Sequence, residues 1–402
     1  MTTTTTTTTT TDTEFNARIH PLRTLADVPE RWHALDRGRR GGQDREPLTF
    51  EQAYRLVEAA AAEDGAREDV ASGALDRLAV DVDPRTGILH VVRTQLVGSG
   101  LAPVGQPMPL RRSALSDLCQ RAHAPADYLS RLPATLARAC LQHGLVSGTG
   151  DRTGTMRLAR GEVRAIVGER YAACDDLTVL DAMGETLYQQ GLLADVRVRA
   201  VGTGTRLTLR VTVPTGAEII RPGDVSEWGI DLGNGELGNA SVSVTPISYR
   251  LVCANGMRGW SQGDRRAIRH VGDPSRVQAY LSDALPAAIT AARGIPDALR
   301  AATARMVDDV AAEFDLLRSP RYGLAQSEVA GVARSLFADR GLTLPASTTD
   351  AAWTEALRET RGISSYDVIQ GITEYAQGRP VERRLDLEAA AGQYLAQRTG
   401  RA

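Results

Sequence analysis

The apolar residues of this chain change period along its length, and that change limits the folds open to it. Between residues 156 and 253, short runs alternate apolar and polar side chains, the spacing of half-buried strands. From about Pro274 to the end the chain is Ala-rich and helical in pattern. The alternating runs are separated by hairpin signals. Met156–Ala159 and Glu162–Val167 flank Arg160-Gly161, and Val196–Val201 is joined to Arg206–Val213 through a Gly/Thr turn. Further strands are predicted near 241–245 and 248–253. A helix over 175–190 carries Leu177, Leu180 and Leu187 near helical spacing.

Upstream, Thr49-Phe50-Glu51-Gln52 has the form of a capping box and opens a helix to about Ala62. A strand follows at 87–93, then helices near 116–122 and 134–143, with Pro125 and Pro133 between them. The order of elements predicts an α+β fold: a central antiparallel or mixed β-rich domain with helices, followed by an α-helical C-terminal region. The expected divisions are a Thr-rich tail and polar linker over 1–47, an α+β core over 48–275 and helices over 276–402. With 402 residues, the chain has ample material for a core.

Composition removes several functions. The 47 basic and 49 acidic residues leave a net charge of −2, which excludes a uniformly basic nucleic-acid binder and a mostly disordered acidic chain. There is no lysine, so every basic residue is arginine. That excludes a Walker A site, a Schiff-base lysine and a Ser-x-x-Lys nucleophile, each of which needs an amine. The four cysteines are widely spaced, with no Cys-x-x-Cys, and Met1 with the Thr2–Thr11 tract is no signal peptide. No apolar run approaches the roughly 20 residues needed to cross a bilayer. The expectation is a cytoplasmic protein with reduced thiols and no membrane contact.

Gly233-Asn234-Gly235-Glu236-Leu237-Gly238 matches a dinucleotide-binding fingerprint by letter. It runs into Asn239-Ala240-Ser241-Val242, which favours strand over the helix that such a site requires, so it reads as a turn between strands and no cofactor is expected. Cys119, His123, Cys140 and His143 lie on neighbouring predicted helices, but their order departs from zinc-finger spacing, and no metal is assigned. Asp175-Asp176 reads as a helix cap that complements the dipole. The second hairpin puts Leu207, Leu209, Val211 and Val213 on one face and Arg206, Thr208, Arg210 and Thr212 on the other, with Arg197 and Arg199 on the partner strand. Arginines on a polar sheet face can grip a phosphate backbone; the alternative is a solvated face whose arginines pair with nearby acids.

Three stretches together resemble a known family. Asn234-Gly235-Glu236-Leu237-Gly238 and Tyr249-Arg250-Leu251-Val252-Cys253-Ala254-Asn255-Gly256-Met257 are similar to two boxes of phage- and plasmid-like proteins known as domain of unknown function 932. Val163–Tyr171 resembles a third box, and the stretches at 370–376 and 387–392 resemble that family's C-terminal helices. Gly235, Gly168 and Gln370 stand where the family has Ser, Ser and Asn. The family-motif positions are thus Asn234, Glu236, Gly238, Cys253, Asn255 and Gly256. The resemblance implies a mobile-element protein that handles DNA in recombination. The leading expectation is a non-catalytic single-stranded-DNA-associated protein similar to phage strand-annealing proteins. Its phosphate contacts would be Arg164, Arg197, Arg199, Arg206, Arg210 and Arg250, and as a homo-oligomer it would associate through the Ala-rich C-terminal helices. The alternatives are a hydrolase- or transferase-like enzyme with a pocket around Glu236, Arg250 and Asn255, or a protein–protein module in host-defence interplay.

Overall fold

The structure is a computed structural model that describes residues 22–33, 46–148, 152–251, 255–259, 266–338, 344 and 351–400. Of the expected tail and linker over 1–47, residues 1–21 and 34–45 lie outside the described residues, as does Cys253, whereas 22–33 are ordered, with a strand at Arg31–His33 and Leu22 in a core. In chain order the first elements are β1 (Arg31–His33), α1 (Phe50–Asp64), β2 (Arg67–Ala74), β3 (Leu78–Val82), β4 (Leu89–Val97) and β5 (Gly100–Pro109). They are followed by α2 (Arg112–Arg121), α3 (Ala126–Leu129), α4 (Ala134–Gly148), β6 (Thr153–Ala159), β7 (Glu162–Gly168) and α5 (Asp176–Gln189). Then come β8 (Arg197–Thr203), β9 (Leu207–Arg221), β10 (Asp224–Gly235), β11 (Ala240–Arg250), β12 (Asn255–Arg258) and β13 (Arg266–Ile268). The last elements are α6 (Ser275–Arg293), α7 (Ile295–Ala304), α8 (Val310–Leu317), α9 (Gln326–Ala338), α10 (Ala351–Glu359), α11 (Ser365–Gln377) and α12 (Val381–Thr399). The molecule is an α+β fold built on antiparallel sheets.

The local signals act as expected. The Thr49 hydroxyl accepts from the Gln52 N–H at 3.1 Å while the Gln52 side chain accepts from the Thr49 N–H at 2.8 Å, closing the capping box of α1. Arg160 and Gly161 both have positive φ, at 52° and 76°, the geometry of a tight hairpin turn whose twist matches its strands.

The largest sheet runs β1-β8-β9-β10-β11-β12, with β13 also pairing β11. The two strands expected at 241–245 and 248–253 are one, β11, because Pro246 falls where its outer edge passes from β13 to β12. The Pro246 carbonyl accepts from the Gly259 N–H, so the missing N–H faces that same gap. Asn255-Gly256, read from sequence as a turn, instead begins the return strand, opposite Arg250 and Tyr249. Two smaller sheets, β2-β6-β7 and β3-β4-β5, are joined by a bridge between Leu110 and Val163.

The described residues form two main cores. One packs α1, α5 and α6 to α12 around the large sheet, with Leu281, Leu285 and Ile289 meeting strand residues such as Leu209, Ile230 and Val244. The other joins the two small sheets to α2, α3 and α4. The helices after residue 275 therefore share the core of the β strands, and the second core is made from residues of the expected 48–275 unit together with Leu22 from the segment before it. Among the C-terminal alanines, Ala288, Ala292, Ala390 and Ala391 are buried inside the chain, whereas Ala301, Ala304, Ala312 and Ala352 are exposed.

Candidate functional site

The turn from β10 to β11 carries Glu236, and this side chain organises the centre of the molecule. Gly238 closes the turn at φ 79°, its N–H donating to the Gly235 carbonyl. Glu236 is buried, held by Arg67 from β2 at 2.8 Å and by Arg164 from β7. Arg164 also meets Asp64, the last residue of α1, at 2.8 Å. Arg157 on β6 donates to the Glu236 carbonyl and pairs with Asp175 at 2.7 Å and Asp69 at 2.9 Å. Asn234 donates to Asp176 at 2.7 Å and to the Cys174 carbonyl at 3.1 Å. Burial first, and then the Glu236 charge, push the Asp176 carboxyl far above the carboxylate range. Asp175 and Asp176 thus serve the cluster, and no side-chain cap bond is formed by Asp175. Two of the resembling boxes, 163–171 and 234–238, meet here: the Tyr171 hydroxyl donates to the Glu236 carbonyl at 2.8 Å.

Outside this cluster lies an open cleft of about 400 Å³, between α2, the end of β7, the Gly238–Ser241 corner and residues 269–271. Its wall carries Asp117 and Arg121 of α2, Tyr171, Asn239, Arg269 and His270. Asp117 and Arg121, one helical turn apart, take hold of the same β7 residue. Asp117 accepts from the Ile166 N–H at 2.9 Å, and Arg121 donates to the Ile166 carbonyl. Among the described residues no carboxylate is bonded to Arg121, and its Nε is buried without an acceptor. Burial holds its guanidinium below the ordinary range, with Asp117 opposing only in part. Burial raises the Asp117 carboxyl to about 6, against the Ile166 N–H and Arg121. Arg269 is exposed on the rim. His270, stacked on Tyr171 with ring centroids 5.3 Å apart, turns Nδ1 to the Ala172 carbonyl at 3.2 Å and leaves Nε2 buried without a partner. Desolvation lowers its pKa, so the ring is neutral near pH 7.

The arginines singled out in the sequence fall into two groups. Arg164 and Arg210 are buried in ion pairs; Arg199 holds Glu227 at 2.7 Å beneath the Tyr249 ring, and Arg250 holds Asp224 at 2.7 Å. These four are corrected to structural roles. On the polar face of the second hairpin, Arg210 meets Glu388 of α12 and Arg199 meets Glu227 of β10, so these two charges face protein and not water. Arg197 and Arg206 have no carboxylate partner among the described residues. Arg197 donates to the carbonyls of Ala194 and Val196, while Arg206 keeps a buried Nε without an acceptor. Arg206 follows Thr205, whose carbonyl accepts from Asn239 on the cleft wall.

Glu236, Arg250 and Asn255 do not converge on one cavity. Glu236 follows the end of β10 that pairs Gly235 with Ala240, whereas Arg250 pairs with Ser226 at the opposite end and with Asn255 across β12. The pocket placed on these three residues is therefore not formed. Asp117, Arg121, Arg269 and His270 had no signal in the sequence beyond the four-residue spacing of the first two, because their meeting is made by tertiary contacts. Cys119 and Cys174 are buried, their thiols pushed up to about 11 by desolvation, and no metal-holding group of His, Cys, Asp or Glu occurs among the described residues. No helix of the described residues is long and apolar enough to cross a membrane. No family model, curated protein or solved structure matches this chain.

Proposed function

We propose that the protein binds single-stranded DNA, with phosphates seated in the α2 cleft on Arg121 and Arg269 and the strand running past Arg206. The observation that carries this reading is Arg121. A largely desolvated guanidinium without an ion-pair partner is costly to bury, and an anion in the cleft compensates it. The cleft is open, and Arg206 lies beside its Asn239 wall through the bond from Asn239 to the Thr205 carbonyl. Tyr171 gives it one partly exposed aromatic edge. The resemblance to mobile-element proteins points the same way and adds DNA recombination as the setting.

The test is fluorescence anisotropy with single- and double-stranded oligonucleotides over a salt series, on the full chain and on Arg121→Gln, Arg269→Gln and Arg206→Gln. Single strands should bind preferentially, and each variant should reduce the log–log salt slope by about 0.7, the share of one phosphate contact. No binding at low salt, or three variants with the parent's affinity and slope, would overturn the reading.

A further inference from the structure

Positions 94 to 110, Thr94 to Leu110, hold no charged residue, in a chain of which 24% is charged. Structurally this stretch is the outer part of the β4–β5 hairpin. β3 pairs with β4 only as far as Arg93, and beyond it residues 94–97 pair only with 100–103. The tip is therefore a two-stranded ribbon standing clear of its sheet, a form that is marginal in water by itself. It presents Leu96, Val97 and Leu101 to solvent at 60%, 56% and 55% exposure, and Leu96 sits directly opposite Leu101. Pro103, Pro107 and Pro109 remove donors from β5, which disfavours strand addition along its edge. What the ribbon offers is side chains.

The other core carries a matching recess. Phe50 and Tyr54 of α1, with Tyr188, Gly191, Leu193 and Ala194 at the end of α5, line an apolar pocket of about 760 Å³. The chain has only 18 aromatic residues (4 Phe, 4 Trp, 10 Tyr), and three gather here. Tyr188 is 71% exposed, the highest value among the described large apolar side chains. Gly184 leaves room for the Phe50 ring: a Cβ there would lie 3.1 Å from its Cε1. Glu51 is the only charged residue of the lining.

We infer that the β4–β5 arm of one copy seats in the α1–α5 pocket of a second copy. Each feature supplies what the other lacks: an uncharged apolar projection and a mainly apolar recess with Glu51 as its single charge, both open in the single chain. The arm carries no cation for a nucleic acid. Arm and pocket are different surfaces, so two copies close reciprocally around a twofold when both arms reach, and otherwise the contact propagates head-to-tail into rings or filaments. This inference stands independently of strand binding.

Sedimentation velocity over a concentration series tests it, with Leu101→Asp in the arm and Tyr188→Asp in the pocket. Both positions are exposed, and far-UV circular dichroism checks that both variants fold. The parent should associate with rising concentration, into a closed dimer by reciprocal exchange or into larger species by head-to-tail contact, and each variant alone should lose association at least tenfold. An equimolar mixture of the two retains one intact arm and one intact pocket, so it should form a dimer and stop there. The inference is overturned by a parent that stays monomeric, by association that survives both variants, or by a mixture that stays monomeric. Binding of the parent to lipid vesicles, abolished by Leu101→Asp and without self-association, would also overturn it.

Discussion

Arg210 of β9 and Glu388 of α12, 178 residues apart in the chain, are joined at 2.5 Å with both side chains buried. The pair is the middle of a row of alternating charges. Arg258 holds Asp231 at 2.7 Å, Asp231 holds Arg210 at 2.8 Å, and Glu388 holds Arg384 at 3.0 Å. This row lies between the large sheet and the last helix. Burial is the largest influence and raises both acids, but Arg210, together with Arg258 at Asp231 and Arg384 at Glu388, outweighs it and keeps both below the usual carboxylate range.

Replacing Arg210 by Leu leaves the row without its central cation and should lower stability by about 3–5 kcal/mol, measured by urea unfolding at neutral pH. The two acids have depressed folded pKa values. Their contribution is therefore complete above the unfolded values near about 4 and disappears as pH falls through the folded ones. The deficit of Arg210→Leu should shrink in acid below that point. A deficit that stays the same down to acid unfolding would show that the row does not couple to Asp231 and Glu388.

Strand binding at the cleft should depend on pH through Asp117. Its carboxyl stands at about 6 in the free protein, with Arg121 and Asp27 as charged neighbours and His270 neutral across the cleft. A phosphate on Arg121 adds negative charge and raises that pKa further, so binding takes up a proton. Affinity should rise as pH falls from about 8 towards about 6 and level off below. Asp117→Asn keeps an acceptor for the Ile166 N–H and should bind with little pH dependence. If it shows the parent's profile in anisotropy at constant ionic strength, another group carries the effect.

Gly392 of α12 packs against the backbone of β12. A Cβ at this position would run into the carbonyl oxygens of Gly259 and Arg258, which are backbone atoms and cannot swing away. Gly392→Ala should cost about 1–3 kcal/mol, read as a lowered Tm. Gly378→Ala, with nothing within 4 Å of the added carbon, is the control and should be near neutral. Equal Tm values for the two variants would contradict the close approach of α12 to β12.

Cys119 and Cys174 should resist alkylation in the folded state, because desolvation pushes both thiols up to about 11 and little thiolate forms near pH 8. Peptide mapping after brief iodoacetamide treatment, with and without denaturant, measures this. Rapid native labelling of Cys174 would show that its cover opens.

Much of the local structure was legible because its causes are local. Thr49 and Gln52 cap a helix by bonds within one turn, Arg160-Gly161 turns a hairpin by its own φ angles, and Leu207 to Val213 alternate into the core as their spacing requires. The need of Glu236 and Arg250 for partners was also legible, since charges between apolar strand residues cannot be left bare. Their partners were not. Arg67 and Arg164 reach Glu236 from 169 and 72 positions away, and Asp224 reaches Arg250 from 26.

The sequence by itself determined an α+β chain with a helical end, its turns and caps, and the absence of any amine chemistry. Only the tertiary structure decided which side of the second hairpin met water. A period-2 pattern separates two faces but does not say what meets the polar one, and here Glu388 of α12 takes Arg210 while Glu227 of β10 takes Arg199. The same holds at the cleft. Asp117, Arg121 and His270 acquire their shifted pKa values from desolvation by elements remote in sequence, and desolvation is a property of the packed molecule.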